Sequence, residues 1–246
     1  MDRQRLMIYI LSIILFLAGL MTFLFPFWNG AVMDDAIQQN AREFLVKSEP
    51  AENTIPDNSS PTDSSEPMQY RSLYEDMTAY NEAICASGQE NLSSKKSYQQ
   101  PSFILSDYGL ESEVFGVISI PKLDIELPIY LGATTAHMND GAAHLSQTSL
   151  PIGGSSTNCV IAGHRGWNGA SYFLRITELQ SGDEVIVTNL WETLSYKVVD
   201  KEIIEPNDVD KILIRPGKDM LTLLTCHPYG SGGKQRYLVY CERVSE

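Results

Sequence analysis

Three side chains suited to acyl transfer each stand at the end of an apolar run. Cys226 closes Leu221-Thr222-Leu223-Leu224-Thr225-Cys226, after which His227-Pro228-Tyr229-Gly230 breaks the pattern. The alternation of leucine and threonine predicts a buried strand ending in a loop, so the thiol is held rigidly yet meets solvent. A thiol is mostly protonated near neutrality, and a cysteine nucleophile therefore needs a base or a cation beside it. His227 is adjacent in sequence, but neighbouring side chains on a strand point to opposite faces, so the two should diverge. His164 is the better partner. It closes Asn158-Cys159-Val160-Ile161-Ala162-Gly163-His164 in the same way, and Arg236 opens Arg236-Tyr237-Leu238-Val239-Tyr240-Cys241 ten residues beyond the thiol. Cysteine, histidine and arginine at three strand ends supply a nucleophile, a proton shuttle and an oxyanion donor. The alternative is a cysteine that merely packs as a small hydrophobe.

The elements that must hold these groups are short strands: Phe115 to Ile120, Glu126 to Leu131, Asn158 to Gly163, Glu184 to Leu190, Leu194 to Ile204, Met220 to Cys226 and Tyr237 to Val244. Thr135 to Leu145 is expected as loop or short helix, Ser171 to Leu179 has helical spacing, and Asn207 to Ile214 is expected as a short helix capped by Asn207 or Asp208. About eight strands with few helices predict a mainly β fold closed into a barrel, which leaves no long edge exposed. Ahead of it, Leu6 to Trp28 carries no charge and is long enough to cross a bilayer as a helix. Arg3 and Arg5 precede it and Asp34 and Asp35 follow, which orients the N-terminus to the cytoplasm and the rest outside. A cleaved signal peptide is the rival, although Phe25-Pro26-Phe27-Trp28 resembles an interfacial anchor more than a small-residue cleavage site. Asp34 to Lys47 is expected as a short helix leaving the membrane, and Ser48 to Pro67, rich in Ser, Pro, Asp, Glu and Asn, as a disordered spacer. Leu73, Met77, Tyr80 and Ile84 give Tyr70 to Cys85 one apolar helical face for packing on the barrel.

Thr222-Leu223-Leu224-Thr225-Cys226 fits the Thr-Leu-x-Thr-Cys signature of the sortases, with Arg236 at the expected distance and His164 upstream. Gly116 to Leu123, Leu127-Pro128-Ile129-Tyr130, Thr148 to Gly154, Ala162 to Gly166 and Pro228-Tyr229-Gly230 continue the likeness from about Val114 to Val244. The chain most resembles the pilus-assembling class C sortases, and Tyr80-Asn81 resembles the Tyr-Asn of their N-terminal helices. The resemblance implies an eight-stranded sortase barrel over residues 113–246. Before it come a tail and anchor (1–33), a membrane-proximal helix and spacer (34–69), and a helix with a lid-like connection (70–112). It implies that Cys226 attacks a threonine carbonyl in a Leu-Pro-x-Thr-Gly-like signal, that His164 moves the protons, and that Arg236 steadies the oxyanion. Leu224, Thr225 and Tyr229 are the implied substrate contacts. The expected partners are surface proteins or pilin subunits carrying that signal, an amine from a pilin lysine or a cell-wall precursor, and the membrane; no cofactor is expected.

Class C members plug the site with an Asp-Pro-aromatic lid. Here Gln100 precedes Pro101 and the aromatic, Phe103, is displaced by one. A neutral glutamine would bind the catalytic arginine less tightly than an aspartate, so a loose lid or a plain surface loop is expected. Two more departures from that class are His227, where a small polar residue is usual, and the lack of a second apolar segment before Glu246. A housekeeping sortase and a non-catalytic surface-binding barrel stay open as alternatives.

The net charge of -13 argues against nucleic-acid binding, which wants a basic surface. Cys85, Cys159 and Cys241 would lie where disulfides are permitted, yet Cys159 and Cys241 sit in apolar runs and are expected as buried free thiols. His137, Asp140 and His144 lack the ligand number and spacing of a metal site, and no metal is expected. His144 falls in a Gly-x-x-His-Leu stretch common in the family and is the choice if a second histidine matters.

Overall fold

The computed structural model describes residues 3–48, 70–94 and 100–244. Apart from Ser48, the expected spacer lies outside them. Eight strands close into one barrel in the order β1-β2-β3-β4-β7-β8-β6-β5. They are β1 (Val114–Ile120), β2 (Ile125–Leu131), β3 (Ala142–His144), β4 (Thr157–Ala162), β5 (Glu184–Thr188), β6 (Thr193–Ile204), β7 (Asp219–His227) and β8 (Gln235–Arg243). Two neighbouring pairs, β2 with β3 and β4 with β7, run parallel, and the rest run antiparallel.

The mainly β barrel expected from the sequence is therefore present. The strand missed by the sequence pattern is β3, three residues long and too short to show a period. It follows the helix α3 (Thr135–Asp140), which starts where the Thr134 hydroxyl accepts a hydrogen bond from His137 N at 3.1 Å. Two expected helices shrink to single 3-10 turns, Ile176–Glu178 and Val209–Ile212. Asp208 does not cap the latter: its carboxylate accepts from Glu205 N at 2.9 Å, tightening the turn before it instead.

Side-chain alternation divides each strand between two layers. Cys159, Ile161, Leu221, Leu223, Val239 and Cys241 point into the barrel with Ile118, Ile129 and Val187. Val160, Met220, Leu224, Leu238 and Tyr240 point out of it and are covered by Ile204, Ile212 and Leu213 from the β6–β7 connection. Cys159 and Cys241 both stand opposite Leu221, one on each side of β7. Two strand spacings, about 10 Å, separate them, beyond the reach of a disulfide, and both are free and buried.

α1 (Arg3–Ser48) is one 46-residue helix rather than a membrane segment followed by a separate short helix. Leu6 to Leu24 is exposed throughout, whereas Gly30, Ile37, Ala41 and Phe44 are buried on the barrel at steps of three, four and seven residues. This is the spacing of one helix face. α2 (Arg71–Ala86) buries Leu73, Met77, Asn81 and Ile84. Asn81 thus replaces Tyr80 in the expected buried row: its Oδ1 accepts from Leu150 N at 2.7 Å, and the Tyr80 hydroxyl at the margin accepts from Gln147 N at 3.0 Å.

Candidate active site

Strand register brings the three candidate residues together. On β8, Arg236 pairs directly with Cys226 of β7. On the other side of β7, Ala162 of β4 pairs with Leu224, and Gly163 N donates to Leu224 O at 3.0 Å. Because β4 and β7 run parallel, two residues further along each strand His164 comes level with Cys226. The face follows from the same alternation. Val160, Leu224 and Leu238 belong to the outer layer, so Cys226 and Arg236, each two residues away on their strands, face outward as well, and the same alternation carried past Ala162 would place His164 with them. The thiol on β7, the guanidinium on β8 and the imidazole just past β4 thus belong to three neighbouring elements at one end of the barrel.

His227, of opposite parity, turns away from the thiol. Its Nδ1 accepts from Arg165 Nη1 at 2.6 Å and its ring lies 5.8 Å from that of Tyr237. The Arg165–His227 pair was not evident in the sequence, since Arg165 follows His164 with no periodic signal of its own.

His164 is held from two sides. Its ring stacks on Trp167 at 5.1 Å between centroids and meets Tyr172 edge-on at 5.6 Å. Burial lowers its pKa from the ordinary 6.5, so the neutral form dominates near neutrality. Arg236 Nη1 donates to Gly233 O at 2.6 Å and Gln235 O at 3.1 Å, fixing the guanidinium against its own loop. Gly233, with φ of +77, lies between the two groups: a Cβ there would be 3.1 Å from Arg236 Nη1 and 3.2 Å from Cys226 Sγ. Thiol and guanidinium are therefore near neighbours, with a loop glycine between them where a side chain would crowd both.

The implied substrate contacts separate. Thr225 is buried and its hydroxyl donates to Gly163 O at 2.8 Å. It ties β7 to the exit of β4, next to His164, so its side chain is engaged within the barrel. Leu224 is partly buried on the outer layer below Cys226, and Tyr229 is exposed beside Gly166.

The lid candidates are placed elsewhere. The Ser146 hydroxyl donates to Gln100 O, a Cβ on Gly132 would strike Pro101, and Phe103 packs against Tyr80 and Tyr108 at 5.8 and 6.1 Å. Gly132 and Ser146 follow the carboxyl ends of β2 and β3, and β3 runs antiparallel to β4. Gln100, Pro101 and Phe103 therefore lie at the end of the barrel opposite Cys226. Of the two expectations, a loose lid and a plain surface loop, this placement fits the loop, with Phe103 held among aromatic partners.

His144 is fully buried, its Nε2 facing Ser149 O at 3.0 Å and Thr148 O at 3.2 Å, and burial lowers its pKa to about 4. It braces the turn after β3 at the end remote from the thiol. His137 packs face to face on Tyr130 at 5.2 Å, with its Nδ1 2.7 Å from Gly132 O. Both histidines thus have structural roles.

A closed eight-stranded barrel carrying these three groups defines a sortase-type domain, and the family model for the sortase domain matches residues 118–244. The chain belongs to the sortase family. Sortase D of Bacillus subtilis is 30% identical over 132 residues, 53% of this chain and 64% of that protein. Sortase C-1 of Streptococcus pneumoniae superposes with a TM-score of 0.64 at 30% identity, covering 85% of this chain and 99% of that structure. A pilus-related sortase C of Group B Streptococcus superposes at 0.57 with 31% identity, covering 72% and 94%. The chain spans a little under two thirds of the length of the Bacillus relative.

Proposed function

We propose that the protein is a membrane-anchored cysteine transpeptidase. Cys226 passes its thiol proton to His164 and attacks the threonine carbonyl of a Leu-Pro-x-Thr-Gly-like signal, forming a carbon–sulfur bond and a tetrahedral oxyanion facing the Arg236 guanidinium. Collapse breaks the threonine–glycine bond, the departing amine takes a proton from His164, and a thioester remains on Cys226. An incoming amine then attacks the thioester, His164 accepts its proton, and the thiolate leaves as the new amide forms. Leu224 forms part of the groove floor beneath the peptide, and Tyr229 is a candidate contact at its rim. The observation that supports this reading is the direct pairing of Cys226 with Arg236, with β4 ending two residues before His164 on the other side of β7.

The finer assignment is a lysine of a pilin subunit as the amine, which the likeness to a pilus-related sortase C supports. Likewise, Leu6 to Trp28 spans the membrane once with the barrel outside, as the flanking Arg3, Arg5, Asp34 and Asp35 favour. The test is to incubate the protein with sorting peptides plus either a pilin lysine peptide or a cell-wall-type amine. Mass spectrometry should find the glycine fragment released and a new amide on threonine, more with the lysine peptide. Cys226→Ala should give no product, and Arg236→Lys a loss of about a hundredfold or more. Turnover by Cys226→Ala would overturn the mechanism, and preference for the cell-wall amine would overturn the pilin assignment alone.

A further inference from the structure

The path of α1 across the barrel fixes which end of the barrel faces the membrane. Ile37 joins the barrel core with Leu123 and Leu127, near the β1–β2 turn. Further along the helix, Ala41 and Phe44 pack on Val114, Val117 and Tyr130 at the other end of those strands. Val114 pairs with Tyr130 and Ile120 with Ile125, so the helix runs lengthwise along β1 and β2. Its direction is from the end carrying Cys226 toward the end carrying Phe103. Followed backwards, the exposed apolar half therefore projects beyond the catalytic end.

Contact with the barrel begins at once where the apolar stretch stops. Trp28 is exposed, and the very next residue, Asn29, donates from Nδ2 to Asn168 O at 3.2 Å. Gly30 packs so closely on Gly169 that a Cβ would lie 2.4 Å from its carbonyl oxygen. Asp34 accepts from Ser171 N at 2.9 Å, and the Tyr172 hydroxyl donates to Asn139 O at 2.5 Å close beside Met33. Asn168 and Gly169 belong to the loop that leaves His164. With a rise of about 1.5 Å per residue, this loop sits within one helical turn of the last apolar residue.

On that loop Trp167 is 47% exposed although its ring also stacks on His164. Tyr229, 65% exposed, has its ring edge beside Gly166. Amphipathic aromatics at the level where a membrane helix meets water are the residues that seat in the headgroup layer. We propose that the catalytic mouth lies against the lipid surface, with Trp167 and Tyr229 seated among the headgroups beside Trp28. The partner of this surface is the bilayer that holds α1, and the inference rests on α1 spanning it. One consequence is that His164, Cys226 and Arg236 open toward the membrane plane and meet peptides close to their point of emergence.

Trp28, Trp167 and Trp191 are the three tryptophans of the chain. Trp191 sits in the β5–β6 turn at the opposite end, against Tyr74 and Phe115. Full-length proteins each keeping one of them, the other two changed to Phe, are reconstituted into phosphatidylcholine–phosphatidylglycerol vesicles. A fraction of the lipid carries a nitroxide near the headgroup. Trp167 should be quenched to at least about half the extent of Trp28 while Trp191 is hardly affected. Strong quenching of Trp28 with Trp167 behaving like Trp191 overturns the proposal and leaves the anchor standing. An unquenched Trp28 overturns both. A second measurement needs no substitution: a headgroup photo-crosslinking lipid on the unaltered chain should label residues 166–170 or Tyr229, and labelling confined to α1 counts against the inference.

Discussion

Gly233 offers a direct test of whether the thiol and the guanidinium work as one unit, because its neighbour supplies the control. Gly232 has φ of +71 and Gly233 φ of +77, so alanine at either costs about 1–2 kcal/mol for a left-handed backbone. At Gly232 nothing lies within 4 Å of the added methyl. At Gly233 it meets Arg236 Nη1 at 3.1 Å and Cys226 Sγ at 3.2 Å, and one of them must give by a few tenths of an ångström. The guanidinium cannot give freely, since it is tied to Gly233 O and Gln235 O. Misplacing reacting groups by 1 Å costs about a hundredfold, so a few tenths corresponds to roughly a four- to tenfold loss. Gly232→Ala and Gly233→Ala should therefore lose similar stability in urea. Gly233→Ala alone should lose that factor in kcat/KM for a sorting peptide and show an altered rate of Cys226 alkylation. Equal kcat/KM in the two variants would refute the coupling of Cys226 to Arg236 through this loop.

Two further outcomes concern the supports of the site. The buried His144 has its pKa lowered to about 4 from 6.5. The unfolded chain therefore takes up that proton first, and stability is lost as pH falls from about 6.5 to about 4, a contribution on the order of 3 kcal/mol. Urea midpoints for wild type and His144→Gln should converge as pH drops through this window, and a constant difference would contradict it. Asn81→Ala strands the buried Leu150 N–H and should cost about 1–3 kcal/mol by urea unfolding; a loss below about half a kcal/mol would mean that α2 is not fastened to the barrel through this bond.

The candidate site was legible in the sequence because each of its three members closes or opens an apolar run, and such runs end in a local signature of alternation cut off by glycine or proline. Likewise, the parity argument that separated His227 from Cys226 needs nothing beyond the pleat. What was not legible depends on contacts distant in sequence. The hold of the Thr225 hydroxyl on Gly163 O and the stacking of Trp167 on His164 join residues that share no signal in the sequence. The place of Phe103 is hidden for a similar reason: an aromatic two residues past a proline is open to a lid or a loop, and Tyr80 and Tyr108 decide where it packs. The division of α1 into two helices does not hold because polarity changes at Asn29 while the helix does not end there; the backbone continues and lays one face on the barrel.

The parallel pairing of β4 with β7 explains why the chemistry collects at this end. Antiparallel neighbours place the carboxyl end of one strand beside the amino end of the next, so two consecutive loops rarely meet. A parallel pair sets two carboxyl ends and their outgoing loops side by side, the arrangement that creates ligand crevices in parallel sheets. Here those ends deliver His164 and Cys226, and the antiparallel β8 contributes Arg236 from its amino end, completing the trio. The other parallel pair, β2 with β3, opens at the opposite end. Its outgoing loops carry Gly132 and Ser146 and receive the 100–103 segment. The barrel thus has two poles of similar construction, one used for the thiol and the other filled by the N-terminal extension. α1 packs lengthwise between them, and its apolar half projects from the first.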